Sequence, residues 1–162
     1  MSKDLRSFLK MAKAAGPDYY AEVKKPLKPE LEPFILQQKL LKQGRNPVLY
    51  CPKIVGSQIP LVTNLMGSYE LMGLALDVDP RQGNKGQVTT EFRKRAAEPI
   101  PHKMVPASEA PVREVILKGK DVDLGLLPIT KHHELDSGKY LVINPLISRD
   151  PDTGILNAGV FR

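Results

Sequence analysis

Apolar positions along the chain change their period about two-thirds of the way along. Leu5, Phe8, Leu9 and Ala12 recur at helical spacing, with Ser2 as a candidate cap and Gly16-Pro17 as a stop. Residues 19–23 read as a short strand. The stretch PELEPFILQQKLLKQG places Leu31, Phe34, Ile35 and Leu41 on one face and ends at Gly44, which predicts a second helix with Pro33 in its first turn. Residues 48–51 and 61–63 read as strands around a Gly-Ser turn. In SYELMGLALDVDP, Ser68 is a candidate cap for a helix running through Leu71, Met72, Leu74, Ala75 and Leu76 and stopping before Pro80. Residues 89–97 form a basic amphipathic segment, expected to be a surface helix, and Gln82-Gly83-Asn84-Lys85-Gly86 before it reads as a surface turn.

From Pro99 the pattern becomes proline-punctuated and aperiodic, as in a connector, and then β-rich: VREVILKG, VDLGLLPI, KYLVINPLISRD, a DPDTG turn and ILNAGVFR. The expected class is therefore α+β, with an α/β domain over residues 1–110 and an antiparallel β domain over residues 111–162. About 50 residues are too few to close a barrel around a packed interior, so this second domain reads as incomplete.

Composition adds boundaries rather than a function. Hydrophobic content of 41% and charged content of 26% suit a soluble globular chain, and no apolar run approaches a membrane span. The charged, amphipathic N-terminus lacks the core of a secretory signal, so a cytoplasmic location is expected. The single Cys51 cannot form an internal disulfide and reads as a small core residue in a reducing compartment. A net charge of +6 favours anionic partners, but its densest run, Arg93-Lys94-Arg95, lacks interleaved aromatics and glycines and reads as a solvated helix face, not a nucleic-acid site.

Two stretches carry candidate chemistry. Lys131-His132-His133-Glu134 with Asp136 is the densest set of potential ligands, yet it matches no zinc spacing. A loop in which one histidine bonds nearby backbone is the favoured reading. Metal ligation and a part in shaping a pocket stay open beside it. In the last hairpin, Pro and Gly make DPDTG a strong turn, and on pattern alone an ordinary hairpin is the favoured reading. Asn157 and Arg162 follow it, five positions apart on opposite faces of a regular strand. At about 3.3 Å per residue they lie roughly 16 Å apart, about the length of a flavin mononucleotide from phosphate to ring. Gly159 between them permits a bulge or close backbone approach.

Taken in order, PVREVIL, VDLGLLPI, HHELDSGKY, RDPDTG and NAGVFR, together with the upstream DLRSFL and PLVTNLMGS, resemble the UbiD family of reversible decarboxylases across essentially the whole chain. The resemblance implies an N-terminal α/β domain followed by the first strands of a split β-barrel of flavin-reductase type. It also implies prenylated FMN, a divalent metal (usually Mn2+) and often K+, and decarboxylation, or in some members carboxylation, of aromatic or α,β-unsaturated acids. By position, Asn157 corresponds to the asparagine that binds the metal at the cofactor phosphate. Gly159 and Val160 line the flavin, and Arg162 contacts both the cofactor and the substrate carboxylate as the catalytic residue. Val142 stands where members commonly carry threonine, and Asn144-Pro145 replaces a more regular strand.

The family's other metal ligands, a histidine and a glutamate, and its proton-transferring glutamates correspond to positions beyond residue 162. The isolated chain is therefore expected to be inactive. A complementing chain is expected to carry the rest of the barrel and a C-terminal domain that drives homo-oligomerisation. A second expectation, of a different class, is a non-catalytic binding or assembly module derived from the same domain.

Overall fold

The computed structural model describes residues 4–98, 100–101, 103–141 and 146–160. Helix α1 (Leu5–Ala15) begins at Asp4, whose carboxylate accepts the Ser7 N–H at 2.7 Å while the Ser7 hydroxyl accepts the Asp4 N–H at 2.9 Å. This reciprocal cap places the helix start at Asp4; the expected cap, Ser2, lies outside the described residues. Gly16, at φ 115°, ends the helix in a conformation other residues rarely adopt.

Strands β1 (Tyr20–Glu22), β2 (Val48–Cys51) and β3 (Leu61–Thr63) form one sheet in the order β1-β2-β3. β1 and β2 are parallel, with Tyr20 opposite Val48, and β2 and β3 are antiparallel, with Cys51 opposite Leu61. Parallel neighbours need a crossover, and helix α2 (Glu32–Lys42) supplies it. β2 is covered on both faces. Val48 packs with Phe8, Ala12, Leu71 and Leu74, whereas Leu49 and Cys51 pack with Ile54, Leu36 and Leu40. The alternation of β2 thus separates α1 and α3 (Tyr69–Ala75) on one side from α2 on the other.

Ser68 caps α3 as expected, accepting the Leu71 N–H at 3.2 Å. The helix ends at Ala75, earlier than the apolar run suggests, because Asp77 turns the chain into the left-handed region at φ 59°. The Leu76 carbonyl accepts from the Arg95 guanidinium at 2.6 Å. Helix α4 (Lys85–Ala97) starts earlier than expected. Asn84 accepts the Gln87 N–H at 3.1 Å, so Lys85 and Gly86 form a first helical turn instead of a surface turn. No helix among the described residues is long and apolar enough to cross a membrane.

The buried apolar core runs from Phe8 to Val88, and no described residue beyond 100 is buried. Two of the expected strands do not form. Residues 112–119 and 122–129 adopt 3-10 turns at Pro111–Arg113, Gly119–Asp121 and Leu124–Leu126. Local bonds satisfy their backbone instead of a ladder: Arg113 N donates to Ala110 O at 2.9 Å, and Gly125 N to the Asp123 carboxylate at 2.7 Å. Val112, 87% exposed, shows what is missing, a packed surface to hold a strand in place. Strands β4 (Leu146–Arg149) and β5 (Leu156–Gly159) do form, as an antiparallel ribbon with Ser148 opposite Asn157 and Leu146 opposite Gly159. The chain is thus α+β in content.

Candidate functional site

The ribbon is organised by its turn. The Asp150 carboxylate accepts the N–H groups of Thr153 at 2.7 Å and Asp152 at 2.9 Å, and these donors hold its pKa below the usual carboxylate range. Gly154 occupies the left-handed region at φ 71°, and the Arg149 guanidinium donates to its carbonyl at 3.0 Å. Register follows from this closure, because Asp150 N then donates to Ile155 O at 2.9 Å and sets every pair behind it.

Strand alternation puts Asn157 and Gly159 on one face and Ala158 and Val160 on the other. Asn157 is exposed, and its carboxamide makes no hydrogen bond among the described residues, so its oxygen is available as a hard donor to a cation. Among the described residues no three histidine, cysteine, aspartate or glutamate side chains gather to hold a metal ion. Asn157 therefore fits the part of one oxygen ligand within a larger set. Gly159 is half-buried and Val160 exposed. Arg162 lies outside the described residues, as do Val142, Asn144, Pro145 and His102.

A second feature joins the two halves of the chain. Residues 128–141 form a strap across the N-terminal end of α2 and the outer edge of β3, enclosing a groove of about 500 Å³ lined by Phe34, Val62, Asn64, Ile129, His132 and Tyr140 among others. Asn157, Gly159 and Val160 do not line it. Both histidines pack on the Phe34 ring. The His132 ring stacks on it at 5.8 Å and 8°, and His133 meets it edge-on at 4.8 Å and 64°. His132 Nε2 bonds the Thr130 hydroxyl at 2.9 Å, a side chain and not the backbone expected from the sequence. The His133 N–H donates to the Asp136 carboxylate at 3.0 Å. Of the readings left open, shaping a groove is the one His132 fulfils.

The strap is further tied down by Leu31 N donating to Lys131 O at 2.8 Å and by a 2.7 Å ion pair between Lys139 and Glu30. That pair, with the hydrogen bond it contains, lowers the Glu30 pKa. Sequence reading missed Phe34 and Glu30 here. Phe34 satisfies the α2 apolar stripe, and no local spacing signals that its partners lie far along the chain.

Two family models match the chain. One, described as the 3-octaprenyl-4-hydroxybenzoate carboxy-lyase N-terminal domain, covers residues 15–88; the other, the Rift-related domain of the same carboxy-lyase, covers residues 103–162. The phenolic acid decarboxylase of Sedimentibacter hydroxybenzoicus is 30% identical over 99% of this chain and 34% of its own length. The vanillic acid decarboxylase structure from that organism, in closed form, superposes with a TM-score of 0.85 at 28% identity, covering 99% of this chain and 34% of that one. An evolved dimeric form of HmfF from Pelotomaculum thermopropionicum, a UbiD-class enzyme in complex with prenylated FMN, superposes with a TM-score of 0.80 at 30% identity, over 98% of this chain and 35% of that one. The chain spans about a third of the length of the curated relatives it matches.

Proposed function

Because the chain belongs to the UbiD family, as an N-terminal portion of it, we propose that it forms part of a reversible non-oxidative (de)carboxylase acting on aromatic or α,β-unsaturated carboxylic acids. The observation that carries this reading is the superposition on HmfF holding prenylated FMN, whose 98% coverage leaves out fewer residues than either ribbon strand contains. Residues 1–110 are the α/β unit and residues 111–162 the opening segment of a split barrel, which contributes β4 and β5. This division is supported by a buried core that runs from Phe8 to Val88 and by apolar side chains that stand exposed beyond residue 100.

The chain's own residues have distinct parts. With a divalent metal, Mn2+, and K+ bound, the carboxamide of Asn157 would hold the divalent ion through its oxygen, and that ion would neutralise phosphate charge. Gly159 lacks a Cβ and Val160 follows it, so this backbone can lie close along the flavin. Arg162 contacts the flavin and holds the substrate carboxylate in a bidentate fork, orienting it for loss of CO2. When bound, the prenylated flavin is the electron sink for the pair of electrons that CO2 leaves behind.

Further polypeptide, on a longer or a complementing chain, supplies the remaining metal ligands and the proton-transferring groups and pairs with the β4–β5 ribbon. It also carries the oligomerising domain, so residues 1–162 by themselves are inactive in the cytoplasm. Native mass spectrometry of the chain purified gently from its host is the first test. A second polypeptide with a flavin-sized mass supports the reading, whereas a chain with no flavin in any assembly favours the non-catalytic module. In the flavin-loaded assembly, Arg162→Ala is expected to abolish turnover while flavin is retained, and Asn157→Ala to lower metal content. Unchanged turnover in Arg162→Ala removes the assignment of that residue.

A further inference from the structure

We propose that Phe34 is a positioning residue: gripped by His132 and His133, it fixes the 128–141 strap, and through it the cofactor ribbon, to the N-terminal layer. The link to the cofactor rests on the reading above, whereas the clasp stands on geometry alone.

Contacts from separate parts of the strap converge on a short stretch at the start of α2. Leu31 N donates to Lys131 O at 2.8 Å, and Glu30 holds Lys139 Nζ at 2.7 Å. Phe34 stacks parallel to one imidazole and meets the other in a T-shaped pair. The two legs of the strap are joined at their neck by Tyr140 N donating to Thr130 O at 3.3 Å, so pinning one leg restrains the other. Leu31 itself is the centre of a tight turn at φ 64° and ψ −37°, a backbone strained for a leucine and closed by Glu32 N donating to Glu30 O at 2.8 Å. Water can replace an exposed ion pair or a single backbone bond at little net cost. It cannot replace the shared apolar and aromatic contact at Phe34, which makes Phe34 the centre of the clasp.

The consequence for the ribbon follows from tether length. From Leu141, the last described strap residue, to Leu146, the first of β4, the chain advances five residues, a reach of about 17 Å at most. With all the strap's contacts to α2 and β3 released, the next hydrogen bond back along the chain that joins it to the N-terminal layer, among the described residues, is Ser57 Oγ to Leu126 O at 2.8 Å, 20 residues before β4. A fourfold longer tether lowers the effective concentration of the ribbon at its seat by about 8-fold.

The test uses the full chain with spin labels at two exposed positions, Lys10→Cys on α1 and Leu135→Cys in the strap; Cys51, fully buried, stays unlabelled. Pulsed electron resonance is expected to give one narrow distance distribution in the labelled parent, a broad one with Phe34→Ala, and a narrow one again with Phe34→Tyr. Phe34→Leu, which keeps the apolar side chain of α2 but not the ring pair, is expected to broaden it partially, and circular dichroism checks that the helices persist. A Phe34→Ala distribution as narrow as the parent's, or broad distributions in all of them, would overturn the clasp. In the flavin-loaded assembly, Phe34→Ala is expected to weaken FMN binding by a factor between about 2 and about 8, the value that full release gives, and Phe34→Tyr to restore it. An unaltered FMN affinity in Phe34→Ala overturns the link between clasp and cofactor. A parent assembly that binds no flavin sinks the decarboxylase reading and leaves the distance result standing.

Discussion

Asn64 is where removing one side chain is expected to cost most for its size. It closes β3 in the left-handed region at φ 62°, and its carboxamide connects three segments. Oδ1 accepts from Gln37 Nε2 of α2 at 2.7 Å, while Nδ2 donates to Asn46 Oδ1 at 2.8 Å and Pro47 O at 2.9 Å. Asn64→Ala removes these three bonds, each contributing about 1 kcal/mol net. It also puts a β-carbon without a compensating amide into the left-handed region, at about 1 kcal/mol more. Partial exposure lets water recover some of this, so the expected loss is about 3 kcal/mol. Asn64→Gly loses the same bonds but tolerates the backbone, and is expected to lie about 1 kcal/mol above the alanine variant. Asn64→Asp keeps the acceptor for Gln37 but turns a carboxylate on Asn46 Oδ1 and Pro47 O, so it should be no better than alanine. Urea unfolding followed by circular dichroism reads all three; with a slope of about 2 kcal/mol/M, 3 kcal/mol is a midpoint shift of about 1.5 M. An alanine variant within about 0.5 kcal/mol of the parent refutes the hydrogen-bond reasoning, by the spread such bonds show. A glycine variant less stable than alanine refutes the backbone part.

Two further perturbations probe the core that carries the site. A Cβ on Gly83 would lie 2.7 Å from Glu70 Cα and 3.0 Å from Tyr69 O. Gly83→Ala is therefore expected to cost about 2 kcal/mol by forcing α3 away, and an unchanged urea midpoint would contradict that close approach. Burial pushes the Cys51 thiol up to about 11, against about 8.5 in an unfolded chain. Between those values the unfolded chain has lost a proton that the folded chain keeps. This contribution to stability is whole below about pH 8.5 and falls by about 1.4 kcal/mol per pH unit until about pH 11. Cys51→Ala should remove that part of the alkaline slope, measured by unfolding at pH 8 and pH 10; identical slopes would show the thiol is not the cause.

The N-terminal elements were legible because each is decided locally. The stripe Leu5, Phe8, Leu9 and Ala12, the serine before α3 and the alternation of β2 state their partners' direction in their own spacing. Errors there were errors of capping: Asp4 and Asn84 start their helices through a side-chain bond that a hydrophobic pattern does not register. Beyond residue 100 the same method failed in a different way. VREVILKG and VDLGLLPI have strand composition, but a strand is completed by a neighbour, and these residues instead close local turns with Val112, Val115, Val122 and Leu124 exposed. The β4–β5 hairpin succeeded because its neighbour is its own return strand, fixed by the Asp150 turn.

The same distinction separates the two candidate sites. Asn157 on an exposed ribbon carries no mark of function in its pattern; an asparagine opposite a serine is ordinary strand surface. What distinguishes it is the family it belongs to and the absence of any hydrogen-bond partner among the described residues, which leaves its oxygen free for a ligand. Phe34 is the converse. Its pattern said core helix, and its surroundings show a ring packed by two imidazoles from a distant segment. Both residues have partners remote in sequence; spacing offered only a length for Asn157, roughly 16 Å to Arg162, and nothing for Phe34. For Phe34 those partners are present and make a closed clasp. For Asn157, under the proposed function, they would be a cation and ligands supplied by other polypeptide. A ribbon exposing Leu146, Ile147, Leu156 and Val160 is too small to hold that geometry alone, since an isolated two-stranded ribbon is marginal in water. Under the proposed function it would be seated from both sides, by the strap anchored at Phe34 on one and by further strands on the other. That requirement ties the decarboxylase reading to the clasp: order at Asn157 depends on both.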